Sequence, residues 1–192
     1  MIEQLIRLFK VERVDDLPVV LAQIRPMGLP AVLDQYYPTH GLWKGALSVG
    51  EVIAVWLTFI VSQGDHRLSP VQPWVEAHLE TLMACVGQPI RPLDFSDDRL
   101  ADVLDRLAET ATWGEVETAL NGVVLRVYEL AADRIRLDST SAKTYAGVTE
   151  DGLFQFGHRK DHRADWPQVK ISLAALDPLG LPLTATVVSG LS

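Results

Sequence analysis

Asp138 is the side chain in this sequence best placed to do chemistry. It lies in Arg134-Ile135-Arg136-Leu137-Asp138-Ser139-Thr140, where apolar and polar residues alternate. That period of two predicts a strand. A carboxylate in the middle or at the end of a strand is held rigidly, and a fixed hard oxygen suits Mg²⁺. The same position also allows a plainer role, in which Asp138 faces water at the strand end or caps the next turn.

A second concentration of reactive groups is Gly157-His158-Arg159-Lys160-Asp161-His162-Arg163. His158 and His162 are four residues apart and would share a helix face, a spacing zinc accepts, but no third or fourth ligand lies nearby in the sequence. Arg159, Lys160 and Arg163 could contact phosphate. A solvated polar loop leading into a strand is the alternative. Gly64-Asp65-His66-Arg67 follows a helix C-terminus, where His66 and Arg67 suit the dipole, and Asp97 and Asp98 read as acids in a helix's first turn. Of the five tryptophans, Trp43, Trp56, Trp74 and Trp113 are expected in the core, while Trp166 lies in the basic loop. No glycine-rich phosphate loop and no Ser-His-Asp frame is present.

The elements that must position these groups fall into two kinds. Up to about residue 130 the pattern is helical. Leu17-Pro18 opens VVLAQI, which Pro26 stops, and Leu29 to Tyr37 forms a second short helix. Ser48 precedes VGEVIAVWLTFIVSQ with Glu51 three residues on, a capping box, and Gly64 stands at the expected C-cap. VQPWVEAHLETLMACV is expected as one helix with Val75, Leu79, Leu82, Met83 and Val86 inward, ended by Gly87. Ser96 opens the next, with a stripe of Leu100, Val103, Leu104 and Leu107. Trp113 to Leu130 is the last, with Val116, Leu120, Val124 and Val127 inward. From about residue 133 the period changes to alternating. Strands are expected over 134–140, 169–176 and 181–188, the last two joined as a hairpin through Asp177-Pro178-Leu179-Gly180. The fold class is therefore α+β, with a helical region over 1–132, suited to DNA binding or dimerisation, and a strand region over 133–192.

Composition narrows the classes further. An apolar share of 48% against 22% charged residues allows a real core and excludes a disordered chain. The single cysteine, Cys85, excludes a disulfide framework and a multi-cysteine zinc site. The most apolar run, Val52 to Val61, is half the roughly 20 residues a membrane span needs, so no membrane partner is expected, and Met1 to Arg7 lacks a secretory pattern. The net charge of −8 opposes nucleic-acid binding as a whole. Its distribution is uneven: residues 1–133 hold 10 basic and 19 acidic side chains, residues 134–192 hold 7 and 6. The later part is the less repulsive toward phosphate.

The stretch IRLDSTSAKTYAGVTEDGLFQFGHRKDHRADWPQVKISLAALDPLGLPLTATVVSG resembles the start of the catalytic domain of IS-four-type DDE transposases. Three motifs carry the likeness: Asp138-Ser139-Thr140, the block GHRKDHRADWPQVK, and the DPLGLPL hairpin. THGLWKGALSVGEV, SQGDHRLSPVQPWVE and DFSDDRLADVLDRL resemble the helical region that precedes such domains in one branch. The likeness spans roughly residues 12–190. It implies a ribonuclease-H-like fold in which three antiparallel strands precede a helix and parallel strands. It also implies an Asp, Asp, Glu triad holding two Mg²⁺ (or Mn²⁺) ions for in-line phosphoryl transfer on DNA. Asp138 matches the first Asp. His158, Arg159, Lys160, His162, Arg163 and Lys170 fall in the block expected to contact DNA. The family's loop more often reads Gly-His-Ser-Lys-Asp-His-Arg-Pro-Asp. Here Arg159 stands for the Ser and Ala164 for the Pro, which changes the loop's detail.

Where the family continues past the hairpin with its second Asp and its Glu, this sequence stops at Ser192. The expectation is a truncated transposase that binds no metal stably and does not cut DNA alone, its first strand left as an open edge. The partners implied are transposon-end DNA, and a second copy or a full-length transposase. The location implied is the prokaryotic cytoplasm, on the nucleoid when DNA is bound. The alternative is a regulatory fragment that binds DNA or the transposase.

Overall fold

Ser48 shows how local chemistry sets the architecture. Its Oγ accepts from the Glu51 backbone N–H at 3.2 Å, and its own N–H donates to Glu51 Oε2 at 3.0 Å. This reciprocal box starts the 15-residue helix Val49–Gln63, and Gly64, in the left-handed region at φ 62°, ends it. Ser48→Ala is expected to destabilise the helical unit by about 1 kcal/mol, read as a lower urea midpoint; an unchanged midpoint would show that the box contributes nothing.

The computed structural model describes residues 11–145, 147–149, 152–156 and 166–190. The chain divides into two units, residues 1–129 and 130–192. The described helices of the first are α1 (Leu17–Ile24), α2 (Leu29–Tyr36), α3 (Val49–Gln63), α4 (Val71–Ala77), α5 (Leu79–Val86), a 3-10 turn (Pro92–Phe95), α6 (Asp97–Leu107) and α7 (Thr110–Val127). The second holds strands β1 (Ile135–Lys143), β2 (Gln168–Leu176) and β3 (Leu181–Ser189). The protein is α+β. Among the described residues no helix is long and apolar enough to cross a membrane.

In the first unit α3 is the central element. Val49, Val52, Ile53, Val55, Trp56 and Phe59 are buried on it, and it packs against α1, α2 and α4. Leu17 and Leu21 of α1, Val32 and Leu33 of α2, and Val71, Trp74 and Val75 of α4 close around it. The ring of Phe59 meets Trp74 edge-on at 5.3 Å. Thr58, fully buried, donates its hydroxyl to Ala54 O at 2.8 Å, so the apolar stretch carries no unpaired hydroxyl there.

Three sequence expectations change. VQPWVEAHLETLMACV is two helices rather than one, broken at His78 (φ −120°, ψ 24°). The break is tolerated because Glu12 supplies acceptors to the new helix start: Oε2 takes Glu80 N–H at 3.1 Å and Oε1 takes Thr81 N–H at 2.7 Å. Leu100 and Val103 are buried on α6, but Leu104 is 44% exposed, because the buried stripe runs through 100, 103 and 107 and leaves 104 at its margin. On α7 Val116 is buried whereas Val127 and Trp113 are exposed, Trp113 lying near the helix start and Val127 at its last residue, beyond the packed stretch.

The sheet is antiparallel in the order β1-β2-β3. β1 pairs β2 from Ile135↔Leu176 to Lys143↔Gln168 without a shift, and β2 pairs β3 from Val169↔Ser189 to Leu176↔Leu181 with one bulge at Ala174/Ala175. The turn 177–180 closes the hairpin, and Gly180 takes the left-handed conformation (φ 68°) that L side chains resist.

Candidate functional site

Strand alternation decides what Asp138 shares a face with. Residues two apart on a strand point the same way, so Arg136, Asp138 and Thr140 form one side of β1. Their partners are Ala175, Leu173 and Ile171 of β2. Leu137, Ser139 and Ser141 form the other side with Ala174, Ser172 and Lys170. A shallow groove of about 400 Å³ is lined by Leu137, Ser139, Ser172, Ala174, Thr184 and Thr186, and also by Asp138 and Leu173. Lys170 and Asp138 are therefore on opposite faces and three registers apart, and the sheet does not bring them together.

β1 is one of the two outer strands, and Asp138 at its middle is exposed. Thr144 N–H donates to Pro167 O at 3.1 Å and Asp177 N–H donates to Arg134 O at 3.0 Å. These bonds put the even-numbered backbone groups of β1 toward β2, so the odd-numbered ones point away from it. Ser139 N–H is one of these, and Asp138 Oδ1 accepts from it at 2.8 Å. The carboxylate thus leans over the edge of its strand that has no partner strand among the described residues, and no cation among them pairs with it. It keeps oxygen lone pairs for an added donor or cation.

Near Asp138 lies a clamp that the sequence did not single out. Asp177, in the hairpin turn, accepts from Arg136 Nη2 at 2.6 Å and stands 3.8 Å from Arg134 Nη1. The Asp177 side chain is 15% exposed and that of Arg136 is 73% exposed. The turn composition marked residue 177 only as a turn former. Its charge role depends on the pairing of β2 with β1, which brings it against a residue 41 positions back along the chain.

The other expected site residues divide as follows. His158, Arg159, Lys160, His162 and Arg163 lie outside the described residues. Asp97 and Asp98 sit in the first turn of α6, the place for helix-start acids. Asp65 is bound by Arg67, Oδ2 to Nη2 at 2.7 Å, and the guanidinium hydrogen bond holds its carboxyl down to about 2. This is a local pair just past α3. Trp166 packs edge-on against Tyr145 at 4.7 Å. Among the described residues no three His, Cys, Asp or Glu side chains come together as a metal site.

The helical unit holds a polar cluster that sequence patterns do not mark. Asp94 is fully buried and binds Arg91, while the guanidinium of Arg99 lies over the Trp43 ring with its carbon 3.5 Å from the centroid. Burial pushes the Arg99 guanidinium below its usual range. An apolar-flanked Asp three residues after an Arg is the only sequence signal of that pair. No family, curated protein or solved structure matches the chain.

Proposed function

We propose that this chain carries the leading part of an IS-four-type DDE transposase catalytic domain, with Asp138 as the first carboxylate of its metal-binding triad. The observation that supports this most is the placement of Asp138: an exposed carboxylate in mid-strand, without a cation partner among the described residues, on an outer strand of an antiparallel β1-β2-β3 sheet. In the ribonuclease-H-like fold that the resemblance implies, a parallel strand would lie beside β1. The edge that would receive it is the one Asp138 leans over. The Asp177-Pro178-Leu179-Gly180 hairpin between β2 and β3 agrees with the same layout.

The residues present fit one metal ligand and not a metal pair. Asp138 is the single carboxylate within the three strands. Two Mg²⁺ ions each need several fixed oxygens; the other described carboxylate toward that face, Asp177, is engaged by Arg136 and Arg134, and no three acidic, His or Cys side chains come together among the described residues. No metal-borne step is therefore assigned to them. Further carboxylates would have to reach Asp138 from outside the three strands.

The test is a cutting assay with supercoiled plasmid in Mg²⁺ or Mn²⁺. The chain by itself is expected to leave the plasmid intact. Cutting that Asp138→Ala abolishes would show that other carboxylates complete the site and would overturn the assignment of a single ligand. Cutting that survives Asp138→Ala would remove Asp138 from the chemistry and with it this function.

A further inference from the structure

We infer that Arg136, held in place by Asp177, is a contact for a DNA phosphodiester beside Asp138. The inference rests on the transposase reading and adds a substrate-binding residue to it. A phosphate approaching Asp138 meets a like charge, so the same face needs a cation to admit it. Arg136 is that cation. It is two residues from Asp138 on the same side of β1, roughly 7 Å along the strand. Its guanidinium bonds Asp177 through Nη2 at 2.6 Å, and its side chain is 73% exposed. An arginine has five N–H donors, and no acceptor among the described residues takes the others. Asp177 also faces Arg134 at 3.8 Å. One carboxylate between two guanidiniums leaves the more distant of them only weakly paired, so donors remain at this corner of the sheet. Asp177 is mostly buried, so it acts as a fixed post that orients the arginine fork, and a fork held this way presents paired donors to phosphate oxygens.

Asp177 is then a positioning residue, and charge alone predicts the opposite of what positioning predicts. Removing an acid strengthens a protein's attraction for DNA. Removing a post loosens the arginine and weakens binding.

The experiment measures fluorescence anisotropy of a short mixed-sequence duplex with the full chain, in EDTA, over a range of salt. Arg136→Ala is expected to lower the slope of log K against log salt by about one and the affinity by roughly eightfold at about 0.1 M salt, the counterion-release value of one phosphate contact. Arg136→Lys keeps the charge and the slope but binds more weakly than wild type. Asp177→Asn binds more weakly than wild type despite the lost negative charge. An unchanged slope in Arg136→Ala overturns the contact while DNA binding itself stands. Wild-type affinity in Arg136→Lys, or equal or tighter binding by Asp177→Asn, overturns the positioning role. A wild-type chain that does not bind the duplex at all overturns both the contact and the transposase reading. Arg136 is exposed, so circular dichroism of each variant is expected to match the wild type.

Discussion

Gly50→Ala is expected to destabilise the helical unit by about 3 kcal/mol, although alanine is the better helix former by up to about 1 kcal/mol. Gly50 lies in the first turn of α3, where the start of α2 crosses it. A Cβ there would stand 2.2 Å from Pro30 O and 2.7 Å from Pro30 Cα. Those are backbone atoms, so no side chain can turn aside to make room. The helices are also tied together at this point, because Gly50 N–H donates to Asp34 Oδ1 at 2.7 Å. Moving α2 away would break that bond and open the packing of Val32 and Leu33 on α3. Overpacking costs about 1–3 kcal/mol where side chains can adjust, and a backbone clash belongs at the top of that range. Gly114→Ala is the matched control. Gly114 is on α7, and a Cβ added to it would have nothing within 4 Å, so propensity acts alone and stability should rise by up to about 1 kcal/mol. Urea unfolding followed by far-ultraviolet circular dichroism reads both. Equal midpoints for the two variants would contradict the close approach of α2 and α3.

Asp94→Ala is expected to cost about 2–3 kcal/mol. Asp94 is fully buried, its Oδ1 accepting from Arg91 Nη2 at 2.5 Å and its Oδ2 from Arg91 N–H at 3.1 Å. Charge-assisted bonds of this kind contribute about 1.5–3 kcal/mol. The cost stays below the roughly 3–5 kcal/mol typical of a fully buried pair because Arg91 is 51% exposed and can rehydrate. Gly45 makes room for the carboxylate: at φ 105°, a Cβ on it would lie 2.5 Å from Asp94 Oδ1. Asp94→Asn keeps an acceptor for the Arg91 N–H and should cost less than Asp94→Ala in the same unfolding measurement. A smaller loss for alanine than for asparagine would contradict the bonding given to Asp94.

Much of this architecture was legible from local signals. The Ser48 box, the glycine stops at 64 and 87, and the turn at 177–180 act over a few residues, so their chemistry can be read directly. The three strands were placed by alternation, and their bounds moved by at most three residues. The break at His78 was hidden because its compensating carboxylate, Glu12, stands 68 residues away from Glu80. Asp94 was hidden because a charged residue reads as surface unless its partner is seen. At the candidate site, the strand under Asp138 was legible. Its face-mates were not, since they follow from the β1–β2 register, which also separates Lys170 from it. The clamp by Asp177 needed β2 to pair with β1, which brings residue 177 beside residues 134 and 136. The basic block 157–163 lies outside the described residues, so its expected DNA contacts remain proposals from the resemblance.

Amide hydrogen exchange along β1 tests the central geometry most directly. The even-numbered amides, 136, 138, 140 and 142, should be protected by β2, and 135, 137, 141 and 143 should exchange quickly from the free edge. Ser139, bonded by the Asp138 carboxylate, should be slower than the other odd-numbered amides and should join them in Asp138→Ala. Protection of both parities, or a Ser139 rate that ignores the substitution, would contradict an exposed Asp138 leaning over an open strand edge.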